Sequence, residues 1–181
     1  LEGNYNSALE LDLFKKHPNV NEMDVLMIHD YTNAGAEIIN PFLRGEIKIG
    51  EPYNSVYHQY ESVLNSALKK MDSYRGTVWR GEYNVTPDLY LTNKGKVITK
   101  DEFTSSSFVK NNDFNDAPVQ LIIESKSGKK VDQFSYGDVT GYDPEYEVLF
   151  KSKTKFLVQE YYPPGHSKAI NGKPTFKLVE Q

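Results

Sequence analysis

Apolar positions recur at helical spacing up to about Tyr74 and at strand spacing beyond it, so the chain changes character there. Ser7 can cap a first helix that runs through Lys16 and is stopped by His17-Pro18. Asn21 can cap a second, carrying Met23, Val25, Leu26 and Ile28. A third spans Thr32 to about Ile39, where Pro41 biases Asn40 out of helical geometry. The longest helix is predicted from about Asn54 to Met71, with Val56, Tyr60, Val63, Leu64, Ala67, Leu68 and Met71 along one stripe.

Strands are predicted at 76–79, 96–99, 105–109, 119–124, 146–151, 155–160 and 175–179. Turn signals separate them at Asn93-Lys94-Gly95, Ser127-Gly128, Pro163-Pro164-Gly165 and Asn171-Gly172. Helices first and strands afterwards indicate an α+β domain rather than alternating βαβ units.

The 181 residues are expected to form one domain, 1–181, and the start at Leu1 suggests a piece excised from something longer. No apolar run approaches the roughly 18 to 20 residues that span a bilayer, so no membrane association is expected. The net charge of −4 disfavours a protein built to grip nucleic acid. Basic pairs such as Lys15-Lys16 and Lys129-Lys130 read as solvated surface. The absence of cysteine removes disulfides, thiolate metal sites and a cysteine nucleophile. His17, His29, His58 and His166 lack metal-ligand spacing, and Asp113, Asp116, Asp138 and Asp143 lack the order of a calcium loop, so no metal is expected. There is no GxGxxG fingerprint, and Ser127-Gly128-Lys129-Lys130 lacks the first glycine and trailing hydroxyl of a phosphate loop.

Three separated pieces carry candidate chemistry. Val78-Trp79-Arg80-Gly81 puts an arginine at the end of a strand. Phe103-Thr104-Ser105-Ser106-Ser107 opens another strand with hydroxyls. Gly141-Tyr142-Asp143-Pro144-Glu145-Tyr146-Glu147-Val148-Leu149-Phe150 carries two carboxylates spaced i, i+2 before an apolar run, a spacing that puts both on one face of a regular strand. Alone, each reads as surface, turn or strand edge; their order along one chain is the signal.

That order resembles the R-S-E class of mono-ADP-ribosyltransferase toxins, which includes the clostridial binary toxins that modify actin. The resemblance runs from Tyr31 to the last strand and is strongest over 141–149. It implies N-terminal helices packed on two antiparallel or mixed sheets around an NAD cleft. It implies that Glu147 stabilises the ribose cation, Glu145 serves the acceptor guanidinium, and Ser105 holds Glu147. It further implies that Arg80 clamps the pyrophosphate, Gly81 meets the nicotinamide amide, and Phe114, Tyr31 and Asn40 contribute to the NAD site. Tyr142 would touch the target protein. Ala36 stands where the binary toxins have a second tyrosine, and Ala117 where they have a basic residue; either change implies weaker NAD binding or a contact moved elsewhere, for example to Arg44.

The chemistry suits these residue types independently. Cleaving the nicotinamide–ribose bond builds positive charge on the ribose, which a carboxylate stabilises. A guanidinium holds its proton too tightly to attack without a base. The expected function is therefore transfer of ADP-ribose from NAD to an arginine of a protein, actin first, by a secreted or injected bacterial enzyme acting in the target cell's cytosol. An immunity protein is a further possible partner. The alternatives are NAD glycohydrolysis, transfer to Thr, Gln or nucleic acid, and an inactive NAD- or actin-binding module.

Overall fold

A computed structural model describes residues 18–110, 116–136 and 146–181. The helix expected over 7–16 lies outside them. Helix α1 (Glu22–Asp30) begins at a reciprocal cap: the Asn21 side chain accepts from the Asp24 N–H at 2.9 Å, and the Asp24 carboxylate accepts from the Asn21 N–H at 2.8 Å. Asp24 also takes the Lys70 ammonium at 2.6 Å, which fixes the start of α1 against the end of the long helix (Tyr53–Lys69).

α1 continues past Asp30 through one wide turn, Tyr31–Gly35, in which the Ala36 N–H reaches back to the Tyr31 carbonyl, and enters α2 (Ala36–Leu43). Pro41 therefore sits inside α2 instead of ending a helix at Asn40. Glu37, whose carbonyl loses the Pro41 donor, is exposed, so water can serve it. Gly35 makes the wide turn possible, because a Cβ there would lie 2.5 Å from the Tyr60 hydroxyl and 3.0 Å from the Asp30 carbonyl oxygen. That hydroxyl donates to the Asp30 carboxylate at 3.0 Å and braces the turn. Gly35→Ala is expected to cost about 1–3 kcal/mol of stability, read as a lowered thermal midpoint.

The long helix, α3 (Tyr53–Lys69), buries a stripe rotated from the expected one. Leu64, Ala67, Leu68 and Met71 are buried, whereas Val56 and Val63 are 50% and 38% exposed. Glu61 takes the inward position instead: its carboxylate accepts from the Ser152 hydroxyl at 2.7 Å and meets Lys153 at 3.3 Å. The Tyr57 ring packs edge-on against Phe42 at 5.1 Å. Hydrogen bonding thus overrides the apolar pattern on that turn.

All seven expected strands are present, their ends shifted by at most three residues: β1 (Gly76–Glu82), β2 (Val97–Lys100), β3 (Thr104–Ser107), β4 (Val119–Ser125), β6 (Glu147–Phe150), β7 (Thr154–Tyr162) and β8 (Thr175–Glu180). A short β5 (Lys129–Lys130) and a short helix α4 (Pro87–Leu91) join them. β5 corrects the reading of Lys129 as solvated: it is buried and donates to the Met71 carbonyl at 2.8 Å and the Ser73 hydroxyl at 2.9 Å.

The hydrogen-bonded strand order is β2-β7-β8-β4-β1-β3-β6-β5, antiparallel except for β4 against β8. β1 pairs with β4 along its whole length but with β3 only at Trp79–Ser107. Two sheet halves therefore meet at a thin seam, consistent with the expected pair of sheets. β6 serves both cores: Leu149 packs with Ile28, Tyr31, Leu68, Phe103 and Phe134 under the helices, while Val148 and Phe150 pack with Val78, Leu121, Phe156 and Phe176. Each such side chain stabilises the fold by roughly 1.5–3 kcal/mol when fully buried, so β6 is a rigid wall. Among the described residues no helix is long and apolar enough to cross a membrane.

Candidate active site

The seam between the sheet halves is where the candidate residues gather. Strand alternation puts Val78, Arg80 and Glu82 on one face of β1. Val78 joins the sheet core, and Arg80 leans across the seam, its Nη1 donating to the Ser105 carbonyl at 2.7 Å. Nε donates to Glu82 Oε1 at 3.1 Å. Two of the guanidinium's corners are thus fixed by the protein, and Nη2 has no acceptor among the described residues.

Across β3 and β6, Ser105 stands opposite Leu149 and Ser107 opposite Glu147. Ser105 is consequently a diagonal neighbour of Glu147 on the same sheet face. The bond it makes is through its backbone carbonyl, to Arg80; the Ser107 hydroxyl accepts from the Val109 N–H at 3.1 Å. Glu147 is the first residue of β6 and only 2% exposed. Tyr146, just before it, has a φ of 52°, and its carbonyl accepts from the Phe108 N–H at 3.0 Å. The strand therefore starts at Glu147, and the one-face argument from i, i+2 spacing does not reach back to Glu145. Glu145, Tyr142 and Phe114 lie outside the described residues.

The helical wall comes from the wide turn and α2. Tyr31 is almost wholly buried, its ring edge-on to Phe103 at 5.4 Å, and its hydroxyl accepts from Asn40 Nδ2 at 3.0 Å. Asn40 Oδ1 in turn accepts from the Phe103 N–H at 3.2 Å, so it ties the helix to the chain just ahead of β3. Burial pushes the Tyr31 hydroxyl above the usual tyrosine range, which keeps it protonated. Tyr31, Asn40, Arg80, Gly81, Ser105 and Glu147 all line one cleft of about 520 Å³. Six of the nine sequence-predicted residues thus share one cavity. Ala36 and Arg44 line it as well. Ala117 is fully buried, and its carbonyl accepts from the Gln120 side chain at 3.1 Å. Arg44 makes a two-pronged pair with Glu46, at 2.7 and 2.9 Å.

Behind Arg80 lies a charged network that the sequence reading missed. Glu82, 4% exposed, accepts from Arg80, from the Lys100 ammonium at 2.8 Å and from the Tyr90 hydroxyl at 2.5 Å. Lys100 also meets Glu102 at 3.6 Å. The i, i+2 spacing of Arg80 and Glu82 was a readable clue; the arrival of Lys100 from another strand was not. Burial alone would raise the Glu82 carboxyl, but Lys100 and Arg80 outweigh it and hold the group at about 2, below its ordinary 4.5. A depressed carboxyl contributes stability that is fully present above its unfolded value and lost as pH falls through its folded one. The protein should accordingly lose stability between about pH 4.5 and 2, and Glu82→Gln should flatten that decline in thermal melts recorded across the range.

The fold recurs in solved structures. The type III effector XopAI from Xanthomonas axonopodis pv. citri matches with a TM-score of 0.76 and 21% identity, over 99% of this chain and 76% of its own. Plx2a, an ADP-ribosyltransferase toxin from Paenibacillus larvae, gives 0.69 and 18%, over 99% and 96%. Exoenzyme S from Pseudomonas aeruginosa, solved with human 14-3-3 protein beta and bound to Carba-NAD, gives 0.71 and 16%, over 97% and 82%. At these identities the likeness is one of fold. No curated protein sequence matches the chain. A family model for the ADP-ribosyltransferase exoenzymes matches residues 4–173, and the chain belongs to that NAD-using family.

Proposed function

We propose that this enzyme transfers ADP-ribose from NAD to an arginine side chain of a target protein, releasing nicotinamide. The observation that carries the reading is the convergence of Arg80, Ser105 and Glu147 on one cleft, with Glu145 two residues ahead of Glu147 in sequence. In the proposed reaction the bond between nicotinamide and ribose breaks, and the nicotinamide leaves with the electron pair. The buried Glu147 carboxylate stabilises the positive charge left on the ribose. A guanidinium nitrogen of the acceptor then bonds to the ribose carbon and gives its proton to Glu145. Arg80 presents its remaining N–H donors to the pyrophosphate, and Arg44, released from Glu46, supplies a second cation. Gly81 allows its backbone to approach the nicotinamide amide. Tyr31 and Asn40 shape the helical wall that faces the dinucleotide.

Actin is the first target to test, since the 141–149 segment resembles actin-modifying toxins. The proposed setting is a bacterial toxin or effector, secreted or injected, working in the cytosol of the target cell, with an immunity protein as a further partner. The test is incubation with NAD and purified actin, then with a eukaryotic lysate, followed by mass spectrometric mapping of the modified residue. ADP-ribosyl-arginine in a protein supports the reading. Modification of Thr, Gln or nucleic acid, or free ADP-ribose as the sole product, overturns it.

A further inference from the structure

Lys100 is a buried cation that plays no direct part in the proposed chemistry. It ends β2, the outer strand of one sheet half, and β1 lies four strands away in the hydrogen-bonded order. Its ammonium nevertheless reaches Glu82 at the end of β1, because the sheet curls and the chain passes directly from Lys100 through residues 101–103 into β3. Lys100 is 7% exposed, and its ammonium lies 5.5 Å from the centre of the Tyr90 ring.

The consequence is electrostatic. Glu82 sits against Arg80, the guanidinium that the proposed function places at the pyrophosphate with Arg44 as a second cation. A carboxylate in that place would cancel the charge of Arg80 and oppose a dianion. Lys100 shares the same carboxylate oxygen, at 2.8 Å. Glu102, also buried, lies 3.6 Å from the same ammonium, so two cations meet two carboxylates, and without Lys100 the Arg80 guanidinium alone would face both. Glu82 stays ionised at neutral pH, so the balance holds wherever the enzyme would work. In a buried setting, charges a few ångströms apart interact strongly, so removing one of the four changes the local potential severely.

We propose that Lys100 is a positioning residue for NAD: it neutralises Glu82, so that Glu82 orients the Arg80 guanidinium without cancelling its charge. The inference rests on the assignment of Arg80 to the pyrophosphate. Lys100 itself touches no substrate atom in this scheme.

A set of charge variants tests it. Glu82→Gln keeps an oxygen to accept from Arg80 Nε, turns its amide nitrogen towards the Tyr90 hydroxyl and removes the negative charge. Lys100→Met removes the neutralising cation and keeps the length of the stem. The double variant restores the original net charge. NAD binding measured by titration calorimetry should weaken at least about tenfold in Lys100→Met, with KM for NAD rising in nicotinamide release and kcat changing little. Glu82→Gln should bind NAD at least as tightly as wild type, and the double variant should recover to within about threefold of it. Lys100→Arg should also retain wild-type affinity.

Thermal stability provides the contrast. Each single variant breaks a buried pair, so both should melt below wild type. A fold staple with no electrostatic task would make affinity follow the melting order, with Glu82→Gln binding poorly; that result overturns the proposal. If Lys100→Met does not fold, Glu82→Gln and the double variant decide: tenfold or greater loss of affinity in both also overturns it. Failure of wild type to bind NAD would instead refute the proposed function itself.

Discussion

Glu147→Gln is expected to suppress nicotinamide release and ADP-ribose transfer together, by about 100- to 10,000-fold. The loss should be joint because one charge serves a step common to both outcomes. Whether water or an arginine receives the ribose, the bond to nicotinamide must first break, and the positive charge then developing needs a negative partner. Glu147 is 2% exposed and heads a strand whose next three residues are locked into two cores. That carboxylate is therefore held in a low-dielectric wall where its charge is worth most and where it needs no reorganisation. Glutamine keeps the shape and an oxygen acceptor, so the melting temperature should stay close to wild type. Nicotinamide release by the purified variant, with and without lysate, gives the answer. Wild-type release would show that the ribose cation is stabilised elsewhere.

The sheet was legible because its strands are runs such as Val119–Ile123 and Val148–Phe150, whose branched and aromatic side chains suit no other element so well. That Arg80, Ser105 and Glu147 belong together was legible through the order of three short patterns, and the fold brings them to one cleft. What stayed hidden depends on partners distant in sequence. The unbroken passage from α1 into α2 needs a wide turn that Tyr60, from α3, braces through Asp30. The true inward face of α3 depends on Ser152 and Lys153 receiving Glu61. Lys129 looked like surface until the Met71 carbonyl and Ser73 closed around its ammonium. The Glu82–Lys100 contact spans the curl of the sheet, and no local period encodes it. The site residues and the residues supporting them thus differ in kind: the former sit in compact motifs, while the latter are assembled by tertiary packing.

Glu145→Gln is expected to separate two activities that Glu147→Gln removes together. Transfer to protein should fall by at least about 100-fold, while hydrolysis of NAD to nicotinamide and ADP-ribose persists within a few-fold of wild type. A guanidinium, with a pKa above about 12, is a poor nucleophile until a base takes its proton, whereas water can trap so reactive a ribose cation with little help. Glu147 belongs to the rigid strand, which starts just after the positive φ of Tyr146, so the strand's i, i+2 geometry does not bind Glu145 to the same duty. Paired assays on one preparation, nicotinamide release without acceptor and label incorporation with it, measure the ratio directly. A parallel fall in both would place Glu145 in NAD cleavage itself. An unchanged ratio at wild-type rates would leave the acceptor's proton to another base and remove the main argument for arginine as the acceptor.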